Sequence, residues 1–471
     1  MDITKLIIED KKNGLSDKEI GDKYGVNFKF IEKTVTRDVG INISSLSGNY
    51  KIIKNFYPKD FGIQDKTVWS FKSRGSWATH NGNYRGNWSP YIPRNLILRY
   101  SKEGDLVLDY FCGAGTTAVE CKLLNRDFIG IDINPHAVQL ASTNLDFGVS
   151  STNLFTPKTQ LSVGDARKLD FIDNSTIDLI CAHPPYSDII TYTAENPADL
   201  SNFSPQNFLF EIEKVAKESF RVLKESKYCA ILIGDMRKNK RVIPLGFWVI
   251  EKFLGAGFKL KELIIKRQHN CKTTGFWYTN SIKYNFLLLA HEYLAVFQKI
   301  GESNNNINCN FKLSDFNSSF NYKSSCLGSD IKLESTTVWI FNYEDWYNKA
   351  LSNLVKRYAL DNYSIFKKQE KLPNKETTLI ITFSQDIFIN NLNYLEDRLK
   401  QNGILAIICE DFRMGNGLIG SQAVEIEKIF RTNTKLKIKE IIIISFEDGP
   451  LSAKTENLEI NHKYVMIFQK E

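Results

Sequence analysis

Three segments of this 471-residue chain occur twice, in the same order. "TVWSF" from Thr67 returns as "TVWIF" from Thr337, "AILIGDMR" from Ala230 as "AIICEDFR" from Ala406, and "HEYLAVFQK" from His291 as "HKYVMIFQK" from His462. Ordered matches of this kind predict an internal duplication, which restricts the chain to two related units before any element is assigned. The copies are unequal. "VLDYFCGAGTT" in the first has no counterpart in the second, and "IITFSQD" stands where the first has "AHPPYSD". The second copy is expected to be degenerate and inert.

From Val107 the apolar pattern alternates between strand and helix. "DLVLDYF", "DFIGIDI", "IDLICAH", "YCAILIGD" and "LLLAHEYLAVFQK" read as strands, while the stretch to Leu124 and "PHAVQLASTNL" read as helices. This order predicts an α/β fold with a doubly wound, Rossmann-like and mostly parallel sheet. Before it, Ser16 and Asn27 are placed to cap two short helices, the first with Ile20 and Tyr24, the second with Phe28 and Ile31, around a turn at Gly25. That spacing fits a helix-turn-helix with Lys29 and Lys33 toward a phosphate backbone, and equally a small packing hairpin. Residues 301–330 are rich in Asn and Ser and read as a linker. The expected division is a helical segment over 1–44, a catalytic domain over 45–300, the linker, and a degenerate α/β domain over 331–471.

The N-terminus has charges inside its first apolar stretch, which argues against a secretory signal, and no apolar run reaches the roughly 18 residues of a membrane span. A cytoplasmic protein is expected. The eight cysteines form no Cys-x-x-Cys pair, so neither a metal site nor a disulfide framework is expected. A net charge of +7 permits a nucleic-acid partner without requiring one.

Gly113 and Gly115 fall directly after one strand and before a helix, where missing Cβ atoms let the backbone turn sharply beside a ligand. Asp132 closes the next strand, where a carboxylate can accept both hydroxyls of a ribose, and Asp165 follows a third strand within reach of an adenine amino group. These three strand ends should meet at one crevice.

Taken together, "LVLDYFCGAGTT", "GIDINP", "GDARKL" and "HPPYSD" resemble the S-adenosylmethionine-dependent DNA methyltransferases that modify N6 of adenine or N4 of cytosine. The resemblance spans roughly residues 67 to 299, in one of the permuted motif orders of that family. It implies S-adenosyl-L-methionine as cofactor, double-stranded DNA as partner, and a restriction-modification or related defence context. It implies cofactor contacts from Asp109, Phe111, Gly113, Gly115 and Thr116, with Asp132 on the ribose and Asp165 on the adenine. His183, Pro184, Pro185 and Tyr186 would form the catalytic turn.

An exocyclic amino nitrogen is a poor nucleophile because its lone pair is conjugated into the ring. Acceptors at residue 183 and at a proline carbonyl would favour a tetrahedral nitrogen, and Tyr186 would stack on the flipped base. The departure is His183, where aspartate, asparagine or serine is usual. Neutral imidazole has one acceptor nitrogen and imidazolium none, so activity should fall as pH drops through an imidazole pKa, about 6.5 if unperturbed. Tyr110, where proline is common, should alter loop packing more than chemistry. "DMRKNKR" and "IKRQHNCKTTGFWYTN" are expected on loops beyond strands. The first reads as a solvated charged loop before a phosphate contact, and the second, with Phe276, Trp277 and Tyr278 in succession, as the better candidate to meet DNA. Arg85, Trp88 and Pro90 are expected in the packing of the cofactor pocket. The alternatives are an RNA base methyltransferase and a DNA-binding regulator that keeps the fold without the activity.

Overall fold

The computed structural model describes residues 3–13, 15, 17–26, 30–31, 34, 53, 55–147, 157–269, 272–301, 333–366, 376–387, 391–447 and 457–471. Two compact units are distinguished, residues 1–59 with 76–87, and residues 60–75 with 88–471. In the first, helices α1 (Ile3–Lys12) and α2 (Asp17–Tyr24) bury Ile7 and Ile20 together with Ile31. Asp10 accepts from Lys23 Nζ at 2.8 Å and from Tyr24 OH at 2.5 Å, tying the two helices across their connection. The sequence reading lacked α1. Asn27, Phe28, Lys29 and Lys33, on which the expected second helix rests, and Ser16, the expected cap of the first, lie outside the described residues, as do positions 302–330 of the expected linker.

The larger unit contains both sequence copies. The first builds an eight-stranded sheet from β1 (Val68–Ser70), β2 (Leu106–Asp109), β3 (Asp127–Asp132), β4 (Thr159–Val163), β5 (Ile177–Ala182), β6 (Leu223–Ile233), β9 (Lys259–Arg267) and β10 (His291–Gln298). Their order is β1-β9-β10-β6-β5-β2-β3-β4. Strand β10 runs antiparallel to both neighbours, and the other pairings are parallel. The short strands β7 (Met236–Lys238) and β8 (Arg241–Ile243) form a separate hairpin. Central β5 is buried along its whole length, as a sheet covered on both faces requires. Two segments expected as loops are regular. "DMRKNKR" enters the β7–β8 hairpin, and Lys272–Lys283 is a helix following β9.

The second copy forms a six-stranded sheet from β11 (Val338–Phe341), β12 (Tyr363–Ile365), β13 (Thr377–Phe383), β14 (Leu399–Cys409), β17 (Lys437–Phe446) and β18 (His462–Gln469), in the order β11-β17-β18-β14-β13-β12. Its hairpin is β15 (Asp411–Arg413) with β16 (Ile419–Ser421). Position by position this is the first sheet without β3 and β4. The chain passes from Ile365 to Thr377 with no room for the glycine loop, the two helices and the two strands that separate β2 from β5 in the first copy.

The two copies exchange equivalent contacts. Thr67 Oγ1 meets His462 Nδ1 at 2.8 Å, and Thr337 Oγ1 meets His291 Nδ1 at 2.8 Å. Arg237 pairs with Glu440 at 2.5 Å, and Arg413 with Glu262 at 2.6 Å. Each of these carboxylates also accepts a backbone N–H from the copy that supplies its arginine, Leu287 for Glu440 and Leu458 for Glu262. In each copy the histidine also meets a tyrosine, Tyr293 or Tyr464, which donates to a buried aspartate, Asp235 or Asp411. Contacts in which i touches j and j touches i define an isologous, two-fold interface, here within one chain.

Candidate active site

The parallel register of β2 against β5 pairs Val107 with Leu179 and Leu108 with Ile180. The glycine loop after β2 and the Pro-Pro-Tyr turn after β5 therefore leave the sheet side by side. Strand β3 adjoins β2 on its other side, with Asp109 opposite Gly130, so Asp132 emerges at the same edge.

The loop from Tyr110 to Gly115 is shaped by its own groups. Gly113 and Gly115 have φ of 50° and 77°, in the left-handed region that a side chain would strain. A Cβ on Gly115 would also lie 2.9 Å from that of Ala141. Asp109 is buried. Its carboxylate accepts from Thr117 Oγ1 at 2.6 Å and from Phe111 N at 3.0 Å, and burial raises its pKa to about 7 against those two bonds. It braces the loop from below. Thr116 is buried at the start of the following helix, Phe111 is half-buried, and Tyr110 is buried with its hydroxyl 2.7 Å from Ser219 Oγ.

Asp132 is half-buried. One carboxylate oxygen accepts from Gly113 N and the other from Asn134 N, both at 2.9 Å, so it ties the end of β3 to the glycine loop. Burial raises it to about 6, with the two N–H groups opposing. Asp165, beyond β4, is held by Arg167. The guanidinium lies 2.6 Å from it and the Arg167 backbone N–H 2.9 Å. Burial pushes Asp165 up, but Arg167 and Lys168 more than reverse this and hold it below its usual range. Arg167 makes four hydrogen bonds to this carboxylate, two to each oxygen with Nε shared between them, while the side chain stays 24% exposed.

At the turn, His183 and Tyr186 are half-buried. His183 Nε2 lies 2.9 Å from Tyr186 OH, and Tyr186 OH donates to Glu292 Oε1 at 2.7 Å. The other Glu292 oxygen pairs with Lys266 Nζ at 2.7 Å. Glu292 is buried, which alone would raise its pKa, but the Lys266 ammonium and the hydrogen bond from Tyr186 hold it well below its usual range. The Tyr186 hydroxyl is pushed well up by burial and by Glu292. With its single proton committed to Glu292, Tyr186 OH can only accept from His183. That places the imidazole proton on Nε2 and leaves Nδ1 as the acceptor in the neutral ring. Trp88 stacks on the other side, with ring centroids 5.8 Å apart and planes within 19°. Trp88, expected in the cofactor pocket, thus touches the catalytic-type turn. Arg85 belongs to the smaller unit.

Glu292 and Lys266 were missed by sequence reasoning. Their signal lay in the repeat itself, because "HEY" becomes "HKY" and puts Lys463 at the position of Glu292. The second copy differs throughout this cluster. The registers of Ala182 with Ile231 and of Thr382 with Ile407 place Phe383 where His183 stands and Asp386 where Tyr186 stands. Gly234, whose Cβ would fall 2.7 Å from the Tyr186 ring, is replaced by Glu410, and Glu410 pairs with Lys463. Burial lowers Lys463 to about 8.

A doubly wound sheet with a glycine loop, an acidic residue closing the next strand and a Pro-Pro-Tyr turn on the adjacent one defines a Rossmann-like methyltransferase domain. Residues 4–143 match the family described as DNA methylase, and residues 101–273 that described as methyltransferase domain. The first half of the chain therefore carries a methyltransferase domain of the DNA methylase type. It is 37% identical over 105 residues to the type II methyltransferase M2.LlaDCHI of Lactococcus lactis subsp. cremoris, covering 22% of this chain and 37% of that one. It is 36% identical over 111 residues to M.BglI of Bacillus subtilis, covering 22% and 32%. The chain thus spans about a third of the length of these relatives. A solved SAM-dependent methyltransferase from Methanosarcina mazei aligns with 44% of this chain and 98% of its own, at 18% identity and a TM-score of 0.31.

The residues at the crevice fit S-adenosyl-L-methionine. The left-handed glycines remove a Cβ at two points of the loop, Asp132 presents a partly exposed carboxylate beside them, and Asp165 is likewise partly exposed. Among the described residues no group of three or more His, Cys, Asp or Glu is placed to hold a metal, and no helix is long and apolar enough to cross a membrane.

Proposed function

We propose that this chain transfers the methyl group of S-adenosyl-L-methionine to the exocyclic amino nitrogen of a base flipped out of double-stranded DNA, N6 of adenine or N4 of cytosine, in a restriction-modification setting. The observation that carries the reading is the hydrogen-bonded cluster His183–Tyr186–Glu292 beside the Gly113–Gly115 loop. The cofactor supplies an electrophilic methyl. Gly113 and Gly115 admit it, Asp132 receives its ribose and Asp165 its adenine.

The protein's part in the chemistry is to hold the amino group. His183 Nδ1 and the Pro184 carbonyl accept its two hydrogens, which draws the lone pair out of conjugation. The Tyr186 ring supports the base from below while its hydroxyl stays tied to Glu292. As the new N–C bond forms, the amino nitrogen must lose a proton, and His183 Nδ1 is placed to take it. The resulting imidazolium would face the ionised Glu292 through Tyr186. Positioning and electrostatics then account for catalysis without a covalent enzyme intermediate.

Expression in a bacterial host free of DNA methylation, followed by single-molecule sequencing of the genome, tests this reading. Methylated adenine or cytosine at a defined sequence is expected with the wild-type chain and should vanish with His183→Ala. A genome free of added methyl groups in the wild-type strain would remove it.

A further inference from the structure

Strands β5, β6 and β9 run the same way, since β6 is parallel to β5 and both β6 and β9 are antiparallel to β10. Whatever follows each of them leaves the sheet at one edge. After β5 comes the His183–Tyr186 turn, after β6 the β7–β8 hairpin, and after β9 the helix Lys272–Lys283. The chain returns from that helix into β10, whose second residue is Glu292, the partner of Tyr186. Hairpin and helix therefore stand on the same edge as the proposed catalytic turn, and no step of the chemistry above uses them.

Their exposed surface has two properties. It is aromatic, since Trp277 and Tyr278 are each 45% exposed and Tyr284 46%. It is also basic, with exposed Lys238, Lys240 and Lys283, and the helix sequence KTTGFWYTNSIK contains no carboxylate. Lys240 Nζ lies 4.8 Å and Lys283 Nζ 5.2 Å from the centre of the same Tyr284 ring. Two ammonium groups gathered on one ring repel each other, and an anion between them would relieve this. Asn239 and Lys240 have φ of 51° and 65°, a left-handed pair that suits a two-residue hairpin turn but strains a lysine. The turn holds Lys240 out from the sheet edge.

We infer that the β7–β8 hairpin and the helix Lys272–Lys283 form the surface that grips the nucleic-acid strand beside the flipped base. Lys238, Lys240 and Lys283 contact phosphates, and Trp277 and Tyr278 stack on the bases left unpaired. A polyanion of stacked rings matches both the cationic and the aromatic half of this surface. The inference rests on the methyltransferase reading for the identity of the strand and for the flipped base.

The test uses the full chain with a mixed-sequence duplex oligonucleotide and, where the host genome reveals a methylated sequence, a second duplex containing it. Two variants are compared, Lys238→Glu/Lys240→Glu/Lys283→Glu and Trp277→Ala/Tyr278→Ala. Duplex affinity is read by fluorescence anisotropy across a salt series, together with cofactor affinity. The charge variant is expected to weaken duplex binding at least tenfold and to flatten the dependence of log Kd on log salt by roughly two to three in slope. The aromatic variant should keep that slope and lose the fluorescence rise of a 2-aminopurine placed at the target base. Both should bind cofactor like the wild type. Unchanged duplex affinity and slope in the charge variant, with methylation intact, would overturn the inference and leave the methyltransferase reading standing. Wild-type chain that binds duplex through these lysines without methylating it would support the surface and remove the activity. A change in sedimentation in place of duplex affinity would assign the surface to a second copy of the chain and also overturn the inference.

Discussion

An imidazole at position 183 can accept through one nitrogen only while neutral, and the structure fixes which nitrogen that is. Below the pKa of the imidazole both nitrogens carry protons, so kcat should fall as pH drops through the range where imidazoles titrate. His183→Asn, whose side chain accepts at every pH, should lack this acid limb in kcat. Glu292 acts on the reaction through Tyr186 and His183 and is a positioning residue. Glu292→Ala should lower kcat on the order of 10²-fold, and Glu292→Gln, which still accepts from Tyr186, should recover part of it. Neither should change cofactor affinity. Asp132 gives a second acid effect with a different signature. Burial raises it to about 6, and in the function proposed above the ribose hydroxyls would donate to its ionised form. Cofactor binding should therefore tighten as pH rises through about 6 and release protons below it. Calorimetry in buffers of different ionisation enthalpy would detect this, and Asp132→Asn should abolish the proton release. The glycines and Asp132 were legible in the sequence because backbone conformation and strand ends are local. Glu292, Lys266 and Trp88 were not, since β10, β9 and the segment before β2 come together only through the sheet order.

Among the elements, the strands read from apolar alternation all formed, with β2, β3 and β5 ending within a few residues of their expected limits. Strand β9 and the helix after it were hidden by a basic and aromatic composition that resembles a loop, although β9 is buried at its centre. The "DMR" and "DFR" repeats were legible as echoes, but their purpose was not. Each arginine reaches across to the other copy's carboxylate, a contact that no single copy can reveal. The Glu262 side chain is almost wholly buried, and its N–H bond from Leu458 does not compensate for a lost guanidinium. Arg413→Ala should cost about 3–5 kcal/mol by stranding that charge, read as a lowered urea midpoint. Arg237→Ala, which strands Glu440, should cost a similar amount. The equality is the sharper test, because it follows from the two-fold exchange. A tenfold disparity between the two unfolding constants would show that the copies are not held as equivalents.

At the scale of the whole molecule, the two sheets are arranged as a homodimer arranges its subunits, but one chain supplies both and only one keeps the crevice. In the second copy the loss is covalent as well as chemical. With β3, β4 and the glycine loop missing between Ile365 and Thr377, neither Asp132 nor Asp165 has an equivalent, and Asp386 and Glu410 stand where Tyr186 and Gly234 would be. Yet β13, β14, β17 and β18 remain buried along most of their length, and the second copy supplies one partner of each exchanged contact. A subunit that has lost its ligand site but retained its interface is held by packing. The second half should therefore be required for the stability of the first without adding a binding event. Titration of the full chain with S-adenosyl-L-methionine should give one cofactor per chain, and Asp132→Ala should remove that site without exposing a weaker second one. Two equivalents bound per chain would mean that the second sheet builds a cofactor site from residues other than those that form the first.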